Sequence, residues 1–183
     1  MRLLAIVTDR FEDLEAIGTI ALLRRAGIEV DLAGASDQLM VSGSFHTSVK
    51  TDIALSKVDI FHYDGLFLPG GAHTKALREQ KEVLGIVSAF YEQQKWLMAI
   101  CAAPSILGVL GILDGVSYTC FPGMEEFMPL GKKQAAAAVV DGKIITGAGA
   151  GAVHEFAFAI IEALLGVQKS EEIKQRIIYR AYE

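Results

Sequence analysis

The sequence predicts an α/β fold in a single domain, with a mostly parallel central β-sheet covered by helices on both faces. Segments with a buried-strand pattern alternate with helical patterns along the chain, which is typical of parallel sheets. The first of these segments, residues 3–7, is apolar throughout, as expected of a buried strand. A chain of 183 residues, of which 52% are hydrophobic, can bury a sizeable core, and no linker or repeat divides residues 1–183.

The first half of the chain opens with a βαβ unit and continues with a hairpin, a strand and a helix. In order, the predicted elements are a strand at 3–7, a helix at 12–26 closed by Gly27, a strand at 28–33, a hairpin at 41–50, a strand at 65–68 that ends in Pro69-Gly70-Gly71, and a helix at 81–94.

The second half keeps this alternation until three short strands interrupt it. The predicted elements are a strand at 96–100, a helix from Pro104 to about residue 113, short strands near 116–120, 134–140 and 143–146, a Gly/Ala-rich turn at 147–152, and helices at 153–165 and 170–182. Because parallel α/β sheets carry their sites at the carboxyl ends of the strands, we expect functional residues at that edge.

Charge and cysteine content argue against several classes of protein. With a net charge of −5 and no basic stripe, the chain lacks the surface that nucleic-acid binding needs. No apolar run approaches the ~18 residues of a membrane span, and Thr8 ends the first apolar run too early for a signal peptide, so we expect a cytoplasmic protein. Two cysteines without a CxxC pattern argue against a disulfide framework and against a zinc site.

Cys101 is the first candidate for a reactive centre, because it lies where the strand at 96–100 turns sharply into a helix. In such an elbow the side chain stands clear of the sheet, and the free N–H groups of the first helical turn point towards it. Small neighbours and a proline in the first helical turn fit this geometry. We therefore expect the pKa of the thiol to lie below its ordinary value. The alternative is a cysteine that only packs in the core.

Glu15 is the second candidate. Residues Asp9 to Glu12 have the form of a capping box, which would start the first helix directly after the first strand, at the same sheet edge as Cys101. The apolar stripe expected for this helix consists of Leu14, Ile17, Ala21 and Leu22. A partly buried carboxyl group at the border of that stripe would have a raised pKa. The alternative is a solvated acid in the first turn, which is the interpretation we favour for Glu12 and Asp13.

Gly70 and Gly71 follow a buried strand, where two glycines let backbone N–H groups approach a bound oxygen closely. This pattern indicates an oxyanion pocket, and the alternative is an ordinary turn. A second glycine-rich segment, residues 147–151, lacks the strict GxGxxG spacing and the later acid of a dinucleotide site. We therefore expect no dinucleotide cofactor.

Six segments form a pattern that covers nearly the whole chain. They are Phe11-Glu12-Asp13-Leu14-Glu15, Arg24-Arg25-Ala26-Gly27-Ile28, Leu68-Pro69-Gly70-Gly71, Ala99-Ile100-Cys101-Ala102-Ala103-Pro104, Thr119-Cys120-Phe121-Pro122-Gly123 and His154-Glu155-Phe156-Ala157. In order and spacing, this pattern resembles the ThiJ/PfpI superfamily, and within it the Parkinson-protein (DJ-one) deglycase and glyoxalase III branch.

The resemblance implies a flavodoxin-like three-layer sandwich with class I glutamine amidotransferase-like topology, usually assembled as a homodimer. It implies that Cys101 is the elbow cysteine of the family and that Glu15 is its pocket glutamate. The activities it suggests are glyoxalase III chemistry on methylglyoxal or glyoxal and the removal of early glycation adducts, without a metal or an organic cofactor. Oxidative-stress sensing and chaperone-like behaviour are the alternatives that it leaves open.

Two positions lack a histidine that some relatives carry. Protease-like relatives have a histidine directly after the elbow cysteine, where this chain has Ala102, and other relatives have one at the position of Phe121. Without a neighbouring imidazole we do not expect a peptidase triad. Phe121 is instead expected to line the substrate pocket.

The remaining histidines and the second cysteine receive lesser roles. His46 lies in the hairpin that approaches the partner subunit's pocket in relatives, so it could contribute across a dimer interface. The histidines that we interpret as surface or packing residues are His62, His73 and His154. Since consecutive strand residues face opposite sides, Cys120 would point away from Cys101 if Phe121 faces it, and we favour a packing role over that of a resolving thiol.

The expected reaction begins with the addition of the Cys101 thiolate to the aldehyde carbon of a 2-oxoaldehyde. Glu15 then moves a proton between the two carbon atoms, while the N–H groups of Gly71 and Ala102 hold the oxygen of the enediolate. Water finally releases lactate or glycolate. In the rival hypothesis the same cysteine is oxidised to a sulfinate that Glu15 and the helix N-terminus stabilise.

Overall fold

A seven-stranded sheet lies between two layers of helices in the computed structural model, which describes residues 1–35, 37 and 39–180. The strands are β1 (Arg2–Val7), β2 (Glu29–Gly34), β3 (Met40–Ser42), β4 (Ser48–Lys50), β5 (Ile53–Ala54), β6 (Gly65–Leu68), β7 (Trp96–Ile100), β8 (Ser117–Tyr118), β9 (Lys132–Lys133), β10 (Ala138–Asp141) and β11 (Ile144–Gly147). The α-helices are α1 (Thr19–Arg25), α2 (Thr74–Glu79), α3 (Lys81–Glu92), α4 (Pro104–Gly108), α5 (Val153–Leu165) and α6 (Val167–Arg176). Short helical turns span Leu14–Gly18, Leu55–Lys57, Ile60–His62, Met124–Phe127 and Ala150–Ala152.

The main sheet has the strand order β10-β11-β7-β6-β1-β2-β5 and is parallel except for the pair β10 and β11. The chain builds outwards from β1 to β5 on one side and then returns to β6 and β7 on the other, where β10 forms the edge and the later strand β11 fits between β10 and β7. The carboxyl ends of β1 and β6 therefore flank the point where the order reverses, which is where open α/β sheets leave a crevice for a ligand. The predicted α/β class with a mostly parallel sheet is confirmed.

Apolar side chains fill a separate core on each face of this sheet. In β1, Leu3, Ala5 and Val7 belong to the core beneath α1 and α5, whereas Leu4 and Ile6 belong to the core beneath α2, α3 and α4. All five side chains are fully buried. Each large apolar side chain stabilises the fold by about 1.5–3 kcal/mol when it is buried. The strands that lead to the site are therefore firmly packed on both faces of the sheet.

Most predicted elements are confirmed, including the hairpin and the helix over Val153–Leu165, but several boundaries are wrong. The helix after Cys101 ends at Gly108 rather than near residue 113, and Gly111 then adopts a left-handed φ of +70°. Helix α2 is not predicted by the sequence pattern. Strand β8 pairs with β9 in a small separate sheet. Helix α6 ends at Arg176, and the predicted end at residue 182 lies outside the described residues.

The first helix differs from its prediction at its start. The capping box is not formed, because the Asp9 carboxylate accepts a hydrogen bond from the N–H of Ser42 (2.9 Å). Glu12 Oε2 instead accepts one from the N–H of Glu15 (2.6 Å), and so caps the turn from within. The helix opens with a π-helical turn, Leu14–Gly18, before it continues as α1.

The predicted apolar stripe of this helix is wrong at three of its four positions. Leu14, Ile17 and Ala21 are exposed, and only Leu22 is buried. The side chains that face the core are Glu15, Ala16, Thr19, Ile20, Leu22 and Leu23. The prediction assumed 3.6 residues per turn from the start of the helix. A π turn contains more residues than that, so it changes which side chains of the helix face the core.

No helix in the described part of the chain combines the length and the apolar character that spanning a bilayer requires.

Candidate active site

Cys101 lies directly after β7, with a φ of +65° that only a few non-glycine residues adopt. Its backbone is held on both sides: its N–H donates to the carbonyl of Gly147 (2.8 Å), and its carbonyl accepts from the N–H of Phe121 (2.8 Å). These bonds fix the left-handed turn and leave the half-buried thiol at the carboxyl edge of the sheet. The predicted strand-to-helix elbow is therefore present.

Glu15 reaches this edge from the π turn after β1. Its side chain is fully buried, and Oε2 accepts a hydrogen bond from the N–H of Gly70 (2.9 Å). Among the described residues, Oε1 has no hydrogen-bond partner. A buried carboxyl oxygen without a partner is costly, so the carboxyl group is held ready for a proton or for a ligand.

Gly70 is required because Glu15 and Cys101 meet at this position. A Cβ at Gly70 would overlap Glu15 Oε2 and would come within 2.6 Å of the Cβ of Cys101. Gly71 has a φ of +107° and forms a β-bridge with Phe11. The glycine pair thus lets the segments that follow β1, β6 and β7 come close together. The N–H of Gly70 orients the Glu15 carboxylate.

Burial raises the pKa of the Glu15 carboxyl to about 7. The thiol of Cys101 and the N–H of Gly70, which donate towards the carboxylate, act in the opposite direction, whereas the charge of Glu12 adds to the rise. The predicted raised pKa is confirmed, and the burial of Glu15 is complete rather than partial. A carboxyl group with this pKa can hold or release a proton near neutral pH.

Burial also raises the pKa of the Cys101 thiol above its ordinary value, and the neighbouring Glu15 carboxylate raises it further. The N–H of Ala102 acts in the opposite direction without outweighing them. The predicted lowering of the thiol pKa is therefore wrong. Its physical reason is that the thiol is partly buried beside the Glu15 carboxylate, and the five-residue helix α4 does not offset these two effects. The site pairs a thiol with a general base that can accept its proton.

A cleft of about 710 Å³ opens above Cys101 and Glu15. The rest of its lining consists of Glu12, Phe45, Phe121 and the alanine- and glycine-rich segments 135–137 and 148–152. The walls are therefore mainly apolar, and both charged groups along them are carboxylic acids. Another cleft, of about 610 Å³ beside Tyr91, contains neither Cys101 nor Glu15.

Phe121 and Gly149 confine the space next to the sulfur. A Cβ at Gly149 would lie 3.8 Å from Cδ2 of Phe121 and 3.9 Å from Sγ of Cys101. Gly149 therefore leaves open a space that lies beside both the phenyl ring of Phe121 and the thiol of Cys101. Cys120 does not line this space but is buried in the core beneath α3 and α4, in agreement with its predicted packing role.

None of the four histidines, all of which lie in the described part of the chain, lines the cleft. His46 is exposed at the hairpin tip, next to Phe45, and its contribution to a partner's pocket stays a prediction. His62 and His154 are exposed, in agreement with their predicted surface positions. The described residues also contain no group of three or more potential ligands that could hold a metal ion.

His73 supports the site in a way that the sequence did not indicate. Its Nδ1 accepts a hydrogen bond from the N–H of Thr8 after β1 (3.2 Å), and this leaves Nε2 to donate to the carbonyl of Pro69 after β6 (3.0 Å). Burial lowers the pKa of His73 to about 4, so the ring is neutral at neutral pH. The ring ties together the two strand ends that carry Glu15 and Gly70.

Asp13 fixes the hairpin that contributes Phe45. Its Oδ2 accepts from the N–H of Phe45 (2.9 Å) and its Oδ1 from the N–H of Thr47 (3.1 Å). Interpreting Asp13 and Glu12 as solvated acids is therefore wrong, since both are half-buried and accept backbone hydrogen bonds. The sequence gives little signal for this role, because the partners lie more than 30 residues away.

Comparisons with known proteins place this chain in a family. The model of the DJ-1/PfpI family matches residues 1–163. Protein dj-1beta of Drosophila melanogaster is 32% identical over 178 residues, which cover 96% of this chain and 95% of that protein. Deglycase PH1704 of Pyrococcus horikoshii is 31% identical over 128 residues, 70% of this chain and 76% of that protein.

Longer relatives and solved structures match as well. Protein DJ-1 homolog B of Arabidopsis thaliana is 31% identical over 172 residues, and the chain spans 39% of its length. The crystal structure of Drosophila melanogaster DJ-1beta superposes with a TM-score of 0.91 at 31% identity, covering 97% of both chains.

Proposed function

Because this chain belongs to the DJ-1/PfpI family, we propose that it is a cysteine-dependent glyoxalase III or deglycase acting on 2-oxoaldehydes, such as methylglyoxal and glyoxal, or on early glycation adducts. Cys101 is the nucleophile and Glu15 the acid–base group. The observation that carries the proposal is the burial of Glu15 beside the Cys101 thiol, because burial brings the pKa of this carboxyl to about 7. The name of the deglycase relative supports the same chemistry.

The first step is the addition of sulfur to the aldehyde carbon. Glu15, ionised above about pH 7, takes the thiol proton as the carbon–sulfur bond forms. The carbonyl π electrons move onto the aldehyde oxygen, which then receives the proton from Glu15. The product is a hemithioacetal, and Glu15 is again a carboxylate.

The second step moves a proton from the aldehyde carbon to the neighbouring keto carbon. Glu15 removes the proton to give an enediolate and returns it to the second carbon, while the hydroxyl proton moves from the first oxygen to the former keto oxygen, which leaves a thioester of a 2-hydroxy acid. Water cleaves the thioester to lactate or glycolate and restores the thiol. One carbon is oxidised while its neighbour is reduced, so the reaction needs no external oxidant, metal or organic cofactor.

The N–H groups of Gly71 and Ala102 are proposed to hold the oxygen that gains charge. The N–H of Ala102 lowers the pKa of the thiol and so favours negative charge beside the sulfur. Gly70 acts differently in this proposal, because its N–H orients Glu15. Donors of this kind act where charge develops, and the loss of one typically costs about 10²–10³ in rate.

Lactate formation by metal-free protein tests the proposal. We expect lactate from methylglyoxal with the native chain and none with Cys101→Ser, because a hydroxyl is a much weaker nucleophile than a thiol. Cys120→Ser, which changes a thiol outside the cleft, is the matched control and should retain the activity. Unchanged turnover in Cys101→Ser would place the activity elsewhere and overturn the proposal.

A second candidate function is oxidative-stress sensing through Cys101. It is favoured by the half-buried thiol and by the Glu15 oxygen that has no partner among the described residues, since a protonated carboxyl could donate to a sulfinate. Peroxide would then add the mass of two oxygen atoms at Cys101 in the native chain but not in Cys101→Ser. A chaperone-like role would use the exposed apolar side chains of the first helix and the hairpin.

We also propose a cytoplasmic homodimer, in which His46 of each hairpin approaches the partner's cleft. The proposal is supported by exposed apolar side chains on the first helix and the hairpin. Binding of a small aldehyde or glycated substrate, rather than nucleic acid, fits the acidic net charge.

A further inference from the structure

We propose that the cleft selects uncharged 2-oxoaldehydes with a bulky apolar substituent, such as an aryl group, over methylglyoxal and over anionic aldehydes. This inference rests on the proposed function and assigns its substrate class. It comes from the two phenyl rings that line the cleft, from the volume of the cleft and from the sign of its charges.

Phe121 is placed to contact the part of the substrate next to the attacked carbon. Its N–H donates to the carbonyl of Cys101 (2.8 Å), so the backbone at Phe121 is tied to the elbow itself. Phe121 is 51% exposed, and Cδ2 of its ring and Sγ of Cys101 both lie within 4 Å of the point that a Cβ at Gly149 would occupy. A substituent on the keto carbon would therefore rest against this ring, and an aromatic substituent gains most from such a contact.

Phe45 forms the other apolar wall from the hairpin. The hydrogen bond from its N–H to Asp13 holds the backbone in place, while its side chain is 71% exposed. A cleft of about 710 Å³ is within the size range of sites for drug-sized ligands, whereas methylglyoxal has only five non-hydrogen atoms. A larger apolar substituent would displace more water from these walls.

The charges along the cleft disfavour an anionic substrate. Glu12 and Glu15 both line it, and no Lys, Arg or His from the described residues does. An anionic substituent would be desolvated near two carboxylates without a compensating cation from the same chain. An uncharged substrate avoids this cost.

The reaction of an arylglyoxal balances in the same way as that of methylglyoxal. The thiol adds to the aldehyde carbon, a proton moves from that carbon to the aryl-bearing carbon, and water cleaves the thioester. Phenylglyoxal and one water thus give mandelate, with one carbon oxidised, its neighbour reduced and the thiol restored.

The test compares kcat/KM for phenylglyoxal, methylglyoxal and 4-carboxyphenylglyoxal with the full chain. We expect phenylglyoxal to exceed each of the others by about tenfold or more, a size typical of selection by an apolar pocket. Phe121→Ala should lower the ratio of phenylglyoxal to methylglyoxal by removing the wall. Gly149→Ala should also lower it, because the new methyl group fits without a clash but takes up cleft space within 4 Å of both the Phe121 ring and the Cys101 sulfur.

Phe61→Ala is the matched control. Phe61 is 77% exposed on a turn that does not line the cleft, so its removal should leave the ratio unchanged. A ratio near one in the native chain, or an unchanged ratio in Phe121→Ala, would overturn the inference and leave the proposed function intact.

A binding measurement decides the inference even if no aldehyde is turned over. Protection of Cys101 from iodoacetamide is compared for 2-hydroxyacetophenone and hydroxyacetone, which are uncharged ketones without an aldehyde. We expect the aryl ketone to protect at about tenfold lower concentration in the native chain, and this advantage to shrink in Phe121→Ala. Equal protection by both ketones would contradict the inference, whereas absent turnover with selective protection would contradict only the proposed function.

Discussion

At the scale of single residues, burial rather than the dipole of helix α4 governs the ionisation of Glu15 and Cys101. Burial raises the pKa of both groups, which leaves the proton on sulfur beside a base with a pKa of about 7. Cys101, Glu15 and Gly70 could be predicted because each follows a strand end with a recognisable local pattern. Phe45 and His73 could not, since their roles depend on bonds to residues 32 and 65 positions away.

Glu15→Gln is expected to stabilise the protein while it removes the acid–base group. The carboxyl has a pKa of about 7 in the fold against 4.5 for an ordinary glutamate, so folding opposes its ionisation. Ionisation of Glu15 therefore lowers the free energy of unfolding. This loss is absent below pH 4.5, grows as the pH rises and is complete above pH 7, where it amounts to about 3 kcal/mol. Urea unfolding at pH 9 should therefore show Glu15→Gln as the more stable protein, with the difference shrinking towards pH 5. If Glu15→Gln were less stable than the native chain at pH 9, the claim that ionised Glu15 destabilises the fold would be contradicted.

At the scale of elements, the first helix shows where a sequence pattern stops being informative. Its existence and its end near Gly27 follow from the pattern, but the face it turns to the core does not, because the π turn at its start shifts the helical register. Exposed Leu14 and Ile17 were expected inside, and buried Glu15 and Thr19 break the apolar pattern. The elements that follow their predictions most closely are those with one regular period, such as α5.

The two hydrogen bonds by which His73 links the ends of β1 and β6 are expected to contribute less stability in acid. His73 has a pKa of about 4 in the fold against 6.5 for an ordinary histidine, so its contribution to stability is complete above pH 6.5 and is lost as the pH falls towards 4. Between pH 7 and pH 5, His73 lowers the free energy of unfolding by about 2 kcal/mol. Over the same range Glu15 becomes neutral and raises the free energy of unfolding by a similar amount, which hides the effect of His73 in the native chain. Glu15→Gln should therefore lose about 2 kcal/mol more than the native chain over this range. A Glu15→Gln variant whose free energy of unfolding stays constant between pH 7 and pH 5 would refute the contribution of His73, and equal pH dependence of the two proteins would refute that of Glu15.

At the scale of the whole molecule, the sheet order determines where the site lies. The predicted flavodoxin-like fold and the ThiJ/PfpI family are both confirmed, by the parallel sheet and by the match of residues 1–163. The reversal of strand order between β1 and β6 brings Glu15, Gly70 and Cys101 to one crevice, although they are far apart in the chain. The order of the motifs along the chain made this convergence predictable. The small sheet of β8 and β9 was not predictable, because each strand is too short to show a periodic sequence pattern.

The chain is expected to form a dimer through its first helix and hairpin. Leu14 and Ile17 are 53% and 37% exposed, and Met40 on the hairpin is 56% exposed, so both elements offer apolar side chains to a second copy of the chain. Light scattering at micromolar concentration should give twice the chain mass of 19.7 kDa. Ile17→Lys should shift the mass towards that of the monomer, because it would bury an unpaired charge in the interface, while Phe61→Ser should not. A monomeric native chain would sink the dimer proposal and the role of His46 in it.

The pH dependence of kcat/KM for lactate formation tests most directly whether Cys101 and Glu15 act as nucleophile and base. We expect the rate with methylglyoxal to rise with pH and to level off, with a midpoint near 7 that reports the ionisation of free Glu15. Glu15→Gln should lose this limb and most of the rate, about 10²–10⁴-fold, because an amide cannot accept the thiol proton. A native profile that is flat between pH 6 and 8, or a limb that persists in Glu15→Gln, would contradict the assignment of Glu15 as the base.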